Sequence, residues 1–353
     1  LNPESDRKII FIGDPYSLTY GKIEDSALDL NTLSEIYSNN IKHYREPIDF
    51  SYNNSKEELT IKLANSIENK LFNTLSYNYD NISLYEVNRS QIKEKLQLWF
   101  SQPLLSEPQQ GFLYYSKKDC LKTNQWIKRS ILENGENIAY GDLLIANNNI
   151  IIPDDTGVGN PKRIVNGMFF TVLKVKESVS SSISIRQSKK PIILTFTKLY
   201  VKCLNINSNP ETYLWILDNY FLSEDNLSKE EKIAFRIFVN KKIDEEKSKN
   251  SFEDSFEYKQ LLHDARYQEL TKVEKKAIEN LVKNYGRSKL EKEKVSTTRK
   301  VRNILSHYNK LYTKHIFSHL RATDPFVNAA FVNYGWAMTV HKALGSSYDE
   351  III

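Results

Sequence analysis

Apolar residues change period several times along this chain, and each change marks a section. Residues 7–14, RKIIFIGD, read as a buried strand ending in a Gly-Asp-Pro turn; SALDLNTLSEIY beyond it has the spacing of a helix capped by Asp25 or Ser26. From about 51 to 150 helical and strand patterns alternate: EELTIKLANSIENKLFNTL (helix), NISLYEV (strand), RSQIKEKLQLWF (helix), GFLYYS (strand), KDCLKTNQWIKRSIL (helix) and DLLIANN (strand). That alternation predicts a parallel sheet with crossover helices. From about 151 the segments IIIP, GMFFTVLKV, SSISIR and PIILTFTKLYVKCL are short, β-rich and divided by turns, which predicts a small antiparallel barrel or sandwich. Residues 224–320 are charged and mostly helical in period, clearest in LSKEEKIAFRIFVNKK and LTKVEKKAIENLVKNY, with a Lys/Glu-rich stretch at 241–256 read as a flexible connection. FVNYGWAMTV and the residues after it return to the pattern of buried parallel strands. The fold class is α/β: a β module and a helical basic segment inserted into a domain that resumes near residue 324.

At 353 residues the chain exceeds what one core usually supports, so two or three domains are expected. An apolar fraction of 40%, a charged fraction of 26% and no apolar run near the roughly 20 residues of a bilayer span predict a non-membrane protein. No secretion leader is evident, and Cys120 and Cys203 lack metal-type spacing. They read as two buried thiols in the cytoplasm. The first residue, Leu1, and the final strand-like Ile351, Ile352 and Ile353 set up the expectation that the chain is an internal fragment.

Charge changes the picture more than composition does. Between Lys283 and Arg321 there are 11 basic residues against Glu291 and Glu293, a net of +9, so the remainder of a chain of net charge +5 carries −4. Tyr285, Tyr308, Tyr312 and Phe317 are interleaved with these cations, together with His307, His315 and His319. Such a composition suits a surface that follows a phosphate backbone, and equally a solvated helical face.

Three turns carry candidate chemistry. In FIGDPYSLTYG, Asp14, Ser17 and Tyr20 lie just past the carboxyl end of a strand, where ligands bind in α/β sheets, although Gly-Asp-Pro is also an ordinary turn. In TVHKALGSS, Thr339, His341, Lys342 and the amides beside Gly345 are donors suited to phosphate oxygens at a strand end. In HYREPI, Arg45 has the chemistry to reach a phosphate.

Taken together these stretches resemble superfamily 1 helicases of the RecD-like branch. IIFIGDPYSLTYGKIEDSAL looks like their motif III and YGWAMTVHKALGSSYDEIII like their motif V. GFLYYSKKDCLKTNQWIKRSIL is similar to the strand and helix opening the second RecA-like domain, and YGDLLIANNN with VNGMFFTVLKV resembles the start of an inserted SH3-like subdomain. The resemblance covers most of 7–176 and 324–353. It implies RecA-like parallel sheets of the P-loop NTPase type with the first domain incomplete: residues 1–50 closing that domain, 51–150 opening the second, 151–223 the SH3-like insert, 224–323 the charged helical insert and 324–353 the second domain resumed. It also implies an ATP-dependent motor on single-stranded DNA, with ATP and Mg²⁺ as cofactors of the intact protein and a missing amino-terminal RecA-like half as partner. Carried over by position, Asp14, Ser17, Arg45, Gly345 and Ser347 face ATP. Tyr20, Ser116, Lys117, Asn124, Thr339, His341 and Lys342 face nucleic acid.

Departures temper the activity implied. The family's motif III Gln is Ser17 here, its motif V Gln is Leu344, and a common Glu is Ser347. The sequence contains no G-x-x-x-x-G-K-[ST] cradle, and no acidic pair stands in the place of the magnesium carboxylates. This chain alone is therefore expected to lack ATPase activity. Two other readings stay open: a non-catalytic single-strand-binding module derived from a motor, and a protein-interaction role for the helical part.

Overall fold

The computed structural model describes residues 29–37, 58, 59, 62, 63, 66, 71, 79–152, 162–186, 188–204, 210–222, 226–283, 298–343 and 346–353. Within these the protein is mixed α/β, with parallel and antiparallel sheets. The chain divides into two compact units, residues 1–95 and 96–353.

In the first unit, helix α1 (Leu30–Tyr37) starts at Asp29, whose carboxylate accepts the Thr32 N–H at 2.8 Å. Asp25, Ser26, and the expected strand at 7–14 lie outside the described residues. Positions 58, 59, 62, 63 and 66 are helical, as the period predicts. NISLYEV is not a strand. The Asp80 carboxylate instead collects the N–H groups of Ile82, Ser83 and Leu84, which curls the backbone; the Ser83 hydroxyl, with these N–H groups, holds that carboxyl far below its usual range. Helix α2 (Arg89–Phe100) comes next, opened by a reciprocal Asn88–Gln91 cap. It runs across the division between the units, and its Leu96 and Phe100 are buried.

The second unit contains two sheets that share the chain between them. Strand β1 (Gln110–Tyr114) lies between β9 (Ala337–Thr339) and β10 (Glu350–Ile352), parallel to both. Helix α3 (Lys117–Trp126) leaves β1 after Ser116, whose hydroxyl caps it, and runs into a π-helical turn at Ile127–Ile131. The chain then builds the antiparallel sheet from β2 (Leu143–Ala146), β5 (Phe169–Ile183), β6 (Ile192–Cys203), β7 (Glu211–Leu217) and β8 (Val332–Tyr334), with β3 (Ile150–Ile152) and β4 (Lys162–Ile164) forming a separate hairpin. The order is β7-β6-β5-β2-β8. A bridge between Ile216 and Ala330 joins the two ends of that order, the Leu217 N–H donating to the Ala330 carbonyl at 3.0 Å and the Ala330 N–H to that of Trp215 at 2.7 Å. The sheet is thereby closed at one point into a small barrel.

Two expectations need correction here. DLLIANN, expected as a parallel strand, is β2 and pairs antiparallel with both β5 and β8. FVNYGWAMTV, expected as one return to the parallel sheet, is divided: β8 closes the barrel, and β9 alone joins β1. Gly335 stands at the division, where the backbone passes so close to the barrel that a Cβ would stand 3.1 Å from Phe169 Cδ1 and 3.2 Å from Leu143 Cγ. Trp336, beside it, is buried.

Between β7 and β8 lie the short helix α4 (Asp218–Leu222) and the helices α5 (Lys229–Lys249), α6 (Phe256–His263), α7 (Ala265–Gln268), α8 (Lys272–Lys283) and α9 (Arg299–Thr323). The predicted flexible connection at 241–256 is instead the last turns of α5 and an ordered turn. A Ser228–Glu231 capping box starts α5, acidic residues occupy its first turn and lysines its last, and Ile243 and Phe252 bury apolar surface in the helical core. Cys120 and Cys203 are buried, as the sequence predicted. Among the described residues no helix is long and apolar enough to cross a membrane.

Candidate nucleic-acid interface

Parallel pairing determines which residues meet. Tyr114 at the end of β1 is in register with Thr339 at the end of β9, so the next residues of both strands leave the same edge of the sheet. From β1 come Tyr115, Ser116 and Lys117; from β9 come His341 and Lys342 on the short helix α10 (Val340–Ala343). Side chains separated by more than 200 positions are thereby gathered at the carboxyl ends of two neighbouring strands, where open α/β sheets bind ligands.

The exposed part of this cluster is Tyr115 and His341. Tyr115 is 82% exposed, and its ring lies 6.4 Å from that of His341 at an angle of 50°. Tyr115 is the residue that sequence reasoning misses. Its signal is present, a second Tyr immediately after an apolar strand, but only register shows that the first Tyr belongs to the sheet and the second to the site.

Behind this pair stand two lysines in fixed positions. The Lys117 ammonium donates to the Asn226 side-chain oxygen and lies 5.4 Å above the Tyr220 ring. The Lys342 ammonium donates to the Ala146 carbonyl at 3.3 Å and to the Asn147 amide oxygen, both at the end of β2. Burial, reinforced by the nearby Lys117 charge, lowers the Lys342 pKa from the ordinary 10.5 to about 8. Burial also pushes the neighbouring Cys120 thiol up to about 11, so it stays protonated and contributes no compensating anion. The result is a strand end with excess positive charge held in low dielectric.

Asn124 is a correction. Expected to grip a nucleic-acid backbone, it is 2% exposed, donates to the carbonyls of Tyr334 and Ala337 at 3.1 and 2.8 Å, and accepts the Ala337 N–H at 2.7 Å. Its amide fixes the crossing from β8 to β9. Ser116 acts as the α3 cap, accepting the Asp119 N–H at 3.4 Å, and Thr339 is half-buried at the end of β9. Of the ATP-facing expectations, Asp14, Ser17, Arg45 and Gly345 lie outside the described residues, as does Tyr20; Ser347 is exposed on the approach to β10. Among the described residues no group of three His, Cys, Asp or Glu side chains is arranged to hold a metal ion.

No family model and no curated protein matches this chain. The site therefore has to be read from its own chemistry. The strand ends bring together an exposed phenol ring, an imidazole and two cations, one of them partly desolvated.

A second structural group supports the strand end from below. Lys128, turned inward by the π-helical turn, is 1% exposed and bonds both oxygens of the fully buried Asp142 at 2.8 and 2.7 Å. Asn134 and the Ala139 N–H complete the carboxylate's shell, and the Lys128 ammonium lies 5.3 Å from the centre of the Tyr334 ring. Burial raises the Asp142 pKa against the pull of Lys128, and burial beside Asp142 raises that of Tyr334. These bonds tie the helix after the site to strands β2 and β8 of the barrel.

Proposed function

We propose that this chain carries the single-strand grip of a superfamily 1 DNA helicase of the RecD-like branch. In this reading the parallel sheet belongs to a RecA-like second domain, and the closed barrel is its SH3-like insert. The observation that carries the proposal is the meeting of Tyr115, Lys117, His341 and Lys342 at the ends of β1 and β9. Support also comes from the antiparallel barrel that leaves the parallel part after α3 and returns to it through β8.

Each group has a task in this reading. Tyr115 stacks on a base, which is tolerant of sequence because every base offers a π-face. His341 donates to a phosphate oxygen, and Lys117 supplies a charge already oriented by Asn226 and Tyr220. Lys342 adds charge at shorter range from a partly dry position. ATP and Mg²⁺ belong to the proposal only through the resemblance in sequence. Among the described residues no group of His, Cys, Asp or Glu is arranged to hold the metal.

The test is fluorescence anisotropy of a labelled 20-nucleotide single strand at several salt concentrations. Binding is expected to weaken as salt rises, and Lys117→Ala to reduce the salt slope by about 0.7. Tyr115→Ala and His341→Ala are each expected to weaken binding by roughly 5- to 100-fold, the range for losing a stacked base or charged contact. Failure of the chain to bind single strands, or indifference to both substitutions, sinks the proposal. ATP hydrolysis stimulated by single-stranded DNA, measured on the complete natural protein, separates a motor from a module that only grips.

A further inference from the structure

The basic cluster of the sequence is resolved by α9 into two faces of opposite character. Val301, Ile304, Tyr308, Tyr312, Ile316 and Leu320 are all buried, at intervals of three and four residues, and form one wall of the helical core. The tyrosines interleaved with the cations in the sequence are therefore core residues. Tyr308 donates to Asp264 at 2.7 Å, and Tyr312 donates to the Asn250 carbonyl. What α9 leaves outside is a row at every fourth position: Arg302, Ser306, Lys310, Lys314 and Ser318, all exposed. The row beside it contains three histidines, and the 25 residues of the helix include no Asp or Glu.

We propose that this row is a docking surface for the phosphate backbone of double-stranded nucleic acid. Charge complementarity is the first argument: a helix face of cations and hydroxyl donors without one acid matches a phosphate row. Several carboxylates of neighbouring elements are engaged already. Asp264 is held by Arg266 and Tyr308, Glu257 faces His315 at 3.1 Å, Glu274 is bonded by Thr271 and Thr298, and Asp254 by Ser251. Arg321, at the far end, donates to the Asn149 carbonyl and is not counted in the row.

The choice of duplex over single strand rests on what the row lacks. Surfaces that hold single strands combine charge with large rings on which bases stack, and the tyrosines of α9 are turned inward. From Arg302 to Ser318 the row advances about 24 Å along the helix axis while winding around it, an advance comparable to roughly seven base pairs of a stiff rod with one charge per 1.7 Å. A flexible strand would have to be straightened along it without a stacking gain.

The experiment compares a labelled 20-base-pair duplex with a 20-nucleotide single strand on the full 353-residue chain. The triple variant Arg302→Gln, Lys310→Gln, Lys314→Gln changes only exposed positions, and near-UV circular dichroism confirms its fold. It is expected to lose duplex affinity about ten-fold or more at low salt and to lower the duplex salt slope by about 3, three contacts at about 0.9 each. Single-strand affinity is expected to be unchanged, while Lys310→Arg with Lys314→Arg keeps duplex affinity. His341→Ala gives the converse, loss on the single strand alone, so failure here is distinguishable from failure of the strand-end grip. The inference is overturned if the wild-type chain does not bind duplex, if the triple variant leaves duplex affinity unchanged, or if it loses single-strand affinity equally. It is also overturned if the row binds polyglutamate while duplex binding ignores it, which would make it a protein surface.

Discussion

Lys342 shows how one residue can serve two purposes at a cost. Its ammonium satisfies acceptors at the end of β2 while the site keeps it in a partly dry, positively charged setting. With a folded pKa of about 8 against an ordinary 10.5, the unfolded chain binds more protons between those values, so stability rises with pH across that window. The stabilising contribution is fully present above about 10.5 and is lost as pH falls through about 8. Lys342→Met is expected to flatten this rise, and near pH 7 to change stability by about 1–3 kcal/mol in the favourable direction. Urea denaturation of both proteins at pH 7 and pH 10 checks it; a parallel dependence in the two would remove Lys342 from the account. The sequence marks Lys342 as a donor, but whether a lysine is wet or dry depends on neighbours as distant as Ala146 and Asn147.

At the scale of elements, the π-helical turn at Ile127–Ile131 has an energetic consequence because it turns a lysine into the interior. A buried ion pair is costly to break by halves, since the remaining charge has no partner. Lys128→Met is expected to destabilise the protein by roughly 3–5 kcal/mol, while Lys128→Met with Asp142→Leu is expected to recover a substantial part of that loss. Chemical denaturation of the single and double variants measures the coupling, and simple additivity would refute the pairing. Elements with a continuous period are legible in the sequence: α2, β1, α3, α5 and α8 fall where the hydrophobic spacing puts them. NISLYEV misleads because side-chain capture of backbone N–H groups by Asp80 overrides β propensity. The tail of α5 misleads because its charge pattern resembles a linker, while Ile243 is buried in a core shared with α9, more than 50 positions away.

For the second unit as a whole, α5 is the shared strut. Ala234 and Phe238 pack in the cluster under the barrel, Ile243 in the helical core, and Val239 against both. Phe238 also meets Phe196 of β6 at 5.4 Å, and Lys242 pairs with Asp324 at 3.2 Å where α9 gives way to the barrel. Barrel and helical core are therefore expected to unfold in one transition. Phe238→Ala is expected to cost about 3–5 kcal/mol and to shift tryptophan fluorescence and far-UV circular dichroism midpoints together. Separate midpoints would mean that the strut does not couple them.

The sequence by itself determined the α/β class, the change of grammar near residue 151, the helical character of the basic segment and the burial of both cysteines. Each rests on periodicity or composition, which are local. It also singled out Thr339, His341 and Lys342 as chemistry at a strand end, while Ser116, Lys117 and Asn124 came only through the resemblance to a family. Only the tertiary structure decided that β1 and β9 are neighbours, that Tyr115 joins the site while Asn124 leaves it, that β2 and β8 belong to the barrel, and that the tyrosines of α9 face inward. The reason is physical: pairing, register and desolvation depend on residues hundreds of positions apart, and no local pattern encodes which of them will meet.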